Sequence, residues 1–306
     1  MFCAVYSLAR EHAIDDQRVP QAQQPRRGRS LSDSLAPSPL EREMTSFRIP
    51  DLTPEQIDQV VRDMDEQGYA RVANFFDEDT IAAARRYVVE ELDKHSGEYF
   101  SYIGRDAVRG SLLADLGGSA RLCNIFSRIY QRGTGKAPPD SGTFQVLRVL
   151  SGRTGLEQSY RFHYDAYVVT ALVPIAIPSD AGEKRGDLII YPKLRGIRSN
   201  VVFNVLEKIL LQNPVARRIA RSDFMRRLLK AKVLRMSPGD IYFFWGYQSL
   251  HGNEPCDASS VRATGLFHFA DPHENSFLVT AIQGLRRRHE RRIRERAMAR
   301  SAHLTS

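Results

Sequence analysis

Cysteine is scarce and scattered: Cys3, Cys123 and Cys256 are the only three in 306 residues. No CxxC pair occurs, so neither a zinc ribbon nor a disulfide framework is suggested. So few thiols fit a reducing compartment, and the expected location is the cytoplasm. No uninterrupted apolar run reaches the ~18 residues that a membrane-spanning helix needs. The opening MFCAVYSLAREHAIDD has neither a basic start nor a clear apolar core, so a secretory leader is not expected. RRM, KH and zinc patterns are missing as well, which weakens any nucleic-acid reading. No internal repeat is visible.

What is present describes a globular chain. Hydrophobic residues make up 42% and charged residues 26%, which fits one domain with extensions or at most two small domains. The formal net charge of +8 is unevenly spread. It gathers near residues 217–235 and 286–300, as two local patches rather than a property of the whole fold.

The first 46 residues contain QAQQPRRGRSLSDSLAPSPLERE, too polar and proline-rich to build a core, and are expected to be a disordered extension. Met44 is an alternative natural start. Order is expected from Leu52, where Thr53, Pro54 and Gln56 form a helix N-terminal signature. Ile57, Val60, Val61 and Met64 then recur at helical spacing, and Gly68 ends the helix. A short strand follows from Tyr69. A second helix starts over Asp77 to Thr80, with Ile81, Ala84, Tyr87, Val88 and Leu92 on one face.

The middle of the chain is β-branched and aromatic. Strands are predicted over 143–150 (TFQVLRVL), 160–175 (YRFHYDAYVVTALVPI), 187–191 (DLIIY), 241–245 (IYFFW) and 261–270 (VRATGLFHFA). Turn signals separate most of them, so the core reads as all-β, a sandwich or a barrel. Residues 201–211 and 215–229 have helical periodicity and suggest a basic helical insert spanning 197–235. The tail, 286–306, reads as a basic helix with little apolar face.

His163 and Asp165 form an H-x-D pair within a predicted strand, where alternation puts both on one face with Tyr164 opposite. His251 follows a strand and turn that can return the chain to that face. Two imidazoles and one carboxylate form the facial triad that holds iron(II) and leaves positions open for a cosubstrate and dioxygen. Alone, the H-x-D pair also fits a strand histidine hydrogen-bonded to a neighbouring Asp. Arg262, eleven positions after His251, supplies the remote cation that a dicarboxylate such as 2-oxoglutarate requires. The alternative for Arg262 is an exposed edge-strand arginine. Thr264, two residues on, shares its face and offers a hydroxyl. Tyr167 shares a face with His163 and Asp165, either lining the site or filling the core. His268 and His273 are rival ligands; a hydrogen-bonded core histidine and a loop residue are the plainer readings.

Together these residues resemble the phytanoyl-CoA dioxygenase family of iron(II)/2-oxoglutarate oxygenases. LTPEQIDQVVRDMDEQGYARVANFFDEDTIAAAR looks like that family's opening helix–strand–helix, and FHYDAY like its H-x-D strand. MSPGDIYFFWGYQSLHGNEP resembles its Gly-Asp turn and distal histidine, and VRATG its cosubstrate arginine. The resemblance spans most of 52–272, but not the first 46 residues, the insert or the tail. It implies a double-stranded β-helix over 47–285 with the first helices packed outside. It also implies oxidative decarboxylation of 2-oxoglutarate to succinate, coupled to hydroxylation of a small or lipid-like metabolite. His163, Asp165 and His251 carry over as iron ligands, Arg262 as cosubstrate anchor and Arg148 as a basic cosubstrate contact. Two features depart from the family. DLIIYPKLRG stands where many relatives have a Pro-Gly-Ser-His turn, and the insert is long and basic. Retention of Asp165 argues against a halogenase, in which a small residue replaces that ligand.

Arg217, Arg218, Arg221, Arg226, Arg227, Lys230 and Lys232 make the insert basic. It reads as a solvated helical face, as a lid gripping an anionic substrate, or as a surface resting on anionic lipid. Oxidative nucleic-acid demethylases usually carry a second arginine shortly after the first. ATGLFHFAD offers none, which argues against that subclass. Two other classes stay open at this point: a non-catalytic β-sandwich module with basic helices for nucleic acid or membrane, and a cupin-like metalloenzyme that ignores 2-oxoglutarate.

Overall fold

The computed structural model describes residues 49–178, 184–196, 218–219 and 221–272. The expected extension (1–46), most of the insert (197–217), His273 and the tail (286–306) lie outside the described residues.

The opening forms as its sequence dictates. Helix α1 (Pro54–Glu66) starts at a reciprocal cap: the Gln56 amide donates to Thr53 Oγ1, and the Thr53 amide donates to Gln56 Oε1. Its buried stripe is Ile57, Val60, Val61 and Met64. Strand β1 (Ala70–Val72) leads to α2 (Glu78–Lys94), capped by Asp77 through the Thr80 amide at 2.8 Å. Strand β2 (Phe100–Ile103) and a 3₁₀ turn (Arg105–Val108) follow.

Next come two helices that no expectation covered, α3 (Leu112–Gly118) and α4 (Ala120–Thr134). The α4 face of Leu122, Ile125, Phe126 and Ile129 is fully buried. Its signal is the ordinary helical spacing within LCNIFSRI. Gly133 fits against the indole of Trp245, where a Cβ would lie 2.1 Å from the ring.

The β-core comprises β3 (Phe144–Leu150), β4 (Val169–Ala176), β5 (Leu188–Tyr191), β6 (Lys232–Leu234), β7 (Ile241–Phe244), β8 (Leu250–Asn253) and β9 (Arg262–Phe269). A short helix, α5 (Gly152–Leu156), follows β3, and α6 (Asp223–Leu228) precedes β6. The large antiparallel sheet has the order β1-β7-β4-β9-β3-β2, and the small one β6-β5-β8. His163 adds an isolated bridge alongside β8. From β3 onward the chain crosses between the two sheets: β3 large, residue 163 small, β4 large, β5 and β6 small, β7 large, β8 small, β9 large. That winding is the double-stranded β-helix, or jelly roll, with the helices outside.

Two expectations are corrected here. The continuous strand expected over 160–175 is broken, because residues 166–168 bend between the His163 bridge and β4. Hydrogen bonds to the 246–251 segment capture the H-x-D stretch before it can join the large sheet. The helical insert expected to run to 235 ends earlier, since Lys232–Leu234 pairs with β5 as a strand.

The large sheet sorts its residues by parity. Ala171, Val173, Phe243, Ala263, Phe267 and Phe269 face the helices and join Met64, Ile125, Phe126 and Ile129 in the main core. Leu172, Tyr242 and Phe244 face inward, meeting Leu188, Ile190, Leu234 and Met236 of the small sheet. Burial of each such large side chain stabilises the fold by about 1.5–3 kcal/mol. This apolar cluster fills part of the barrel interior, while Arg148, Thr170, Arg262, Thr264 and His268 are polar positions on the same inward face.

The turn before β7 depends on one carboxylate. Asp240 is buried and accepts from the Asn74 amide at 3.0 Å, Arg71 Nε at 2.7 Å and the Tyr242 hydroxyl at 3.0 Å. It thereby ties β1 to β7. Asp240→Ala is expected to lower unfolding free energy by about 2–3 kcal/mol, since it removes the acceptor shared by these three donors. Urea denaturation followed by circular dichroism measures this.

Candidate metal centre

His163 and His251 are opposed residues of an antiparallel pair. The His163 amide donates to the His251 carbonyl at 2.9 Å, and the His251 amide returns the bond at 3.0 Å. This pairing sends both side chains to one face. Asp165 is fixed two residues later, where its amide donates to the Gly246 carbonyl at 2.9 Å. The ligand-type atoms of the three side chains lie within 4.8 Å of one another, and among the described residues this is the one such His/Cys/Asp/Glu group.

The imidazoles are oriented alike. Nδ1 of His163 donates to the Arg161 carbonyl, and Nδ1 of His251 to the Ser249 carbonyl, each at 2.9 Å. Carbonyl oxygens can only accept, so both rings carry their proton on Nδ1 and turn a bare Nε2 inward. These Nε2 atoms stand 3.8 Å (His163) and 3.5 Å (His251) from Asp165 Oδ1. The buried His251 Nε2 has no hydrogen-bond partner. An unpaired buried acceptor costs free energy, and a shared divalent ion would satisfy all three atoms at once.

The second carboxylate oxygen is already engaged. Thr170 donates to Asp165 Oδ2 at 2.6 Å, and His268 Nδ1 lies 3.0 Å from the same hydroxyl. The threonine proton goes to the carboxylate, so His268 donates to the threonine. Asp165 is left with Oδ1 alone for an ion. His268, considered as a rival ligand, sits on the Oδ2 side at 3.7 Å, as the outer member of this relay. Gly246 makes room for it: a Cβ there would lie 2.3 Å from Thr170 Oγ1 and 2.4 Å from Asp165 Oδ2. Sequence reasoning missed Thr170 and Gly246. The signal for Thr170 was a lone hydroxyl in an otherwise apolar strand.

Charge is arranged to suit a cation. Burial alone would raise the Asp165 carboxyl, but His251, His268 and His163 outweigh it and hold the group well below the usual carboxylate range. Burial, with His251 beside it, pushes His163 down to about 3. Burial works against protonated His251 too, but the Asp165 carboxylate prevails and raises it.

Of the other predicted residues, Arg262, Thr264 and Arg148 lie on the inward face of the large sheet. Arg262 starts β9 and is 2% exposed. Its stem packs on Gly186, where a Cβ would be 2.5 Å from Arg262 Cδ, and its Nε has no partner. It is not the exposed edge arginine considered as the alternative. Burial and Arg148 push its guanidinium down to about 10, leaving it charged at neutral pH. Thr264 is buried and pairs across the ladder with Arg148, which puts Arg148 on this face as well. Arg148 makes one long contact, 3.5 Å to the Gln158 carbonyl, and its buried Nε has no partner. Tyr167 lies in the 166–168 bend rather than on a strand. It stacks on Phe144 at 5.5 Å and on His268 at 5.4 Å, beside the relay.

No protein-family model matches the chain, and a comparison with curated proteins finds no match. Solved structures do resemble it. The non-haem alpha-ketoglutarate-dependent carbocyclase SnoK from nogalamycin biosynthesis is 18% identical, with a TM-score of 0.46, over 72% of this chain and 87% of that one. A prolyl hydroxylase from Trichoplax adhaerens is 14% identical, with a TM-score of 0.48, over 71% and 90%. A Pseudomonas putida prolyl-4-hydroxylase is 13% identical, with a TM-score of 0.43, over 72% and 97%.

Gly246→Ala should displace the Asp165 carboxylate from its place between Thr170 and the imidazoles. Divalent-ion affinity, measured by calorimetry with Co(II), is expected to fall at least about tenfold, with the cooperative thermal transition retained.

Proposed function

We propose that the chain is an iron(II)- and 2-oxoglutarate-dependent oxygenase. The observation that carries this reading is the unpaired, buried Nε2 of His251, turned with His163 Nε2 toward one oxygen of Asp165. Two histidines and a carboxylate on one face are the donor set of non-haem iron(II) sites that leave coordination positions open. Arg262 and Arg148 support the cosubstrate assignment. Both are cations on the inward face, with no carboxylate within ion-pair distance among the described residues.

His163, His251 and Asp165 would hold the metal, with the Arg161 and Ser249 carbonyls fixing the ring tautomers and Thr170 fixing the carboxylate. When bound, iron(II) supplies the oxygen chemistry that converts 2-oxoglutarate and O2 to succinate and CO2 while oxidising a substrate C–H bond. Arg262 would take the distal carboxylate in a planar, bidentate pair, because a guanidinium matches carboxylate geometry. Thr264 adds a hydroxyl, and Arg148 a second positive charge for the 2-oxo acid end. Tyr167 and Phe144 form an aromatic wall next to the carboxylate.

The substrate proposed is a small-molecule or lipid-like metabolite, and the outcome hydroxylation. The phytanoyl-CoA dioxygenase resemblance supports this through the helix–strand–helix opening and the order of H-x-D, distal histidine and arginine. A domain over 47–285 follows from the same resemblance. Nucleic acid is disfavoured as substrate, since β9 places His268 rather than a second arginine downstream.

Anaerobic titration with iron(II) and 2-oxoglutarate separates the alternatives. An oxygenase gives the weak visible charge-transfer band of the chelate. A cupin-like metalloenzyme binds iron without that band, and a non-catalytic module binds neither. His163→Ala and His251→Ala are expected to lose iron and all succinate formation. Arg262→Ala should retain iron but need at least tenfold more 2-oxoglutarate for half-maximal succinate release.

Metal affinity should depend on pH in one direction. A proton on His251 competes with the ion, and its pKa is raised above 6.5. His163 is neutral throughout this range. Binding is therefore full at high pH and weakens as pH falls through the raised His251 value, by about tenfold per unit for one displaced proton. Co(II) titrations from pH 6 upward, roughly the histidine range, measure this. A flat profile would contradict it.

A further inference from the structure

The turn after β5, Tyr191-Pro-Lys-Leu-Arg195, stands where the resembling family has a different turn. Its contacts reach both strands of chain that carry the triad. Pro192 packs on Gly68, where a Cβ would lie 2.4 Å from Pro192 Cγ. Lys193 forms an ion pair with Asp65 at 2.6 Å, and its amide donates to Ser249 Oγ at 3.2 Å. These contacts hold the turn against α1 and against the segment leading to His251.

Arg195 goes further. It is 7% exposed. Its amide donates to the Gln248 carbonyl at 3.3 Å, and its Nε to the Tyr247 carbonyl at 2.6 Å. Its guanidinium carbon lies 4.0 Å from the ring centre of Tyr164 and 4.2 Å from that of Tyr247. Tyr164 is the residue between His163 and Asp165. Tyr247 begins the 247–249 segment, whose last carbonyl, Ser249, orients His251. One planar cation therefore touches both ligand-bearing segments, on the side opposite the triad.

We propose that Arg195 is a positioning residue, a guanidinium clasp between Tyr164 and Tyr247 that locks the H-x-D segment to the His251 segment and so preorganises the three ligand atoms for a divalent ion. The clasp rests on the reading of the triad as a metal site. Its chemistry requires a flat cation that meets an aromatic ring while donating sideways to a carbonyl. The planar guanidinium of arginine can face both rings while donating in its own plane, a geometry that the compact ammonium of lysine does not reproduce. The alternation of the H-x-D stretch puts Tyr164 away from the ligands, so Arg195 acts on the triad through the backbone and touches neither substrate nor metal.

The test uses the full-length chain and Co(II) as probe. Affinity is measured by calorimetry, stability by thermal melting without metal, and local order by amide hydrogen exchange over 161–165 and 247–251. Arg195→Met is expected to melt cooperatively, exchange faster in those two segments and bind Co(II) at least about tenfold more weakly. Arg195→Lys should behave like Arg195→Met. Tyr164→Leu removes one ring while leaving the bond to the Tyr247 carbonyl, and should weaken binding in the same direction. The double variant should be no weaker than Arg195→Met alone. Wild-type affinity in folded Arg195→Met overturns the clasp while leaving the metal site standing. If Arg195→Met does not fold, Tyr164→Leu decides, and unchanged affinity there overturns the clasp. A wild-type chain that binds no Co(II) overturns the metal reading, and the clasp with it.

Discussion

Two backbone hydrogen bonds between His163 and His251 set the geometry of the whole site. They are ordinary antiparallel pairing, yet they bring together residues far apart in the chain. Because the pair exchanges both bonds, the side chains must share a face. Asp165 follows at the right distance through its own bond to Gly246, and Gly246 lies on the approach to His251. Main-chain hydrogen bonds therefore bring the three residues together, and side-chain contacts then orient their ligand atoms. The jelly roll supplies this by returning the chain to the small sheet beside the segment it left.

Around that geometry the protein tolerates several unsatisfied groups. His251 Nε2, Arg148 Nε and Arg262 Nε are buried without partners. Each costs about 1–3 kcal/mol when left unpaired. The helix-facing core and the inward apolar cluster, including Tyr242, Phe244 and Leu172, provide the stability that offsets these costs. Unpaired polar groups inside an otherwise packed fold are the kind of local conflict that functional sites carry.

Much of the architecture was legible in the sequence because it is encoded locally. Thr53 with Gln56, and Asp77 with Thr80, announce helix starts over three or four residues. The β-branched and aromatic runs announce strands. The order of His163, Asp165, His251 and Arg262 named the residues that the fold gathers or turns inward. Features set by distant partners were not legible. Thr170 and His268 meet across 98 positions, and Arg195 meets the Tyr247 carbonyl across 52. No local pattern predicts such pairs. The bend at 166–168 was missed for a related reason. FHYDAYVVTAL has strand composition throughout, and only tertiary hydrogen bonds divide it between two sheets. Helix α4 is a different case, since Leu122, Ile125, Phe126 and Ile129 carry plain helical spacing in a chain whose next residues are β-rich.

The triad is unevenly screened. The side chain of His163 is 26% exposed, whereas those of Asp165 and His251 are 6% and 3% exposed. Solvent therefore reaches the His163 side chain far more than the other two. Among the described residues, the His163 imidazole is the member of the triad nearest to solvent. For an ion held as proposed, substitutions beside His163 would alter its exchange with solvent more than substitutions beside His251.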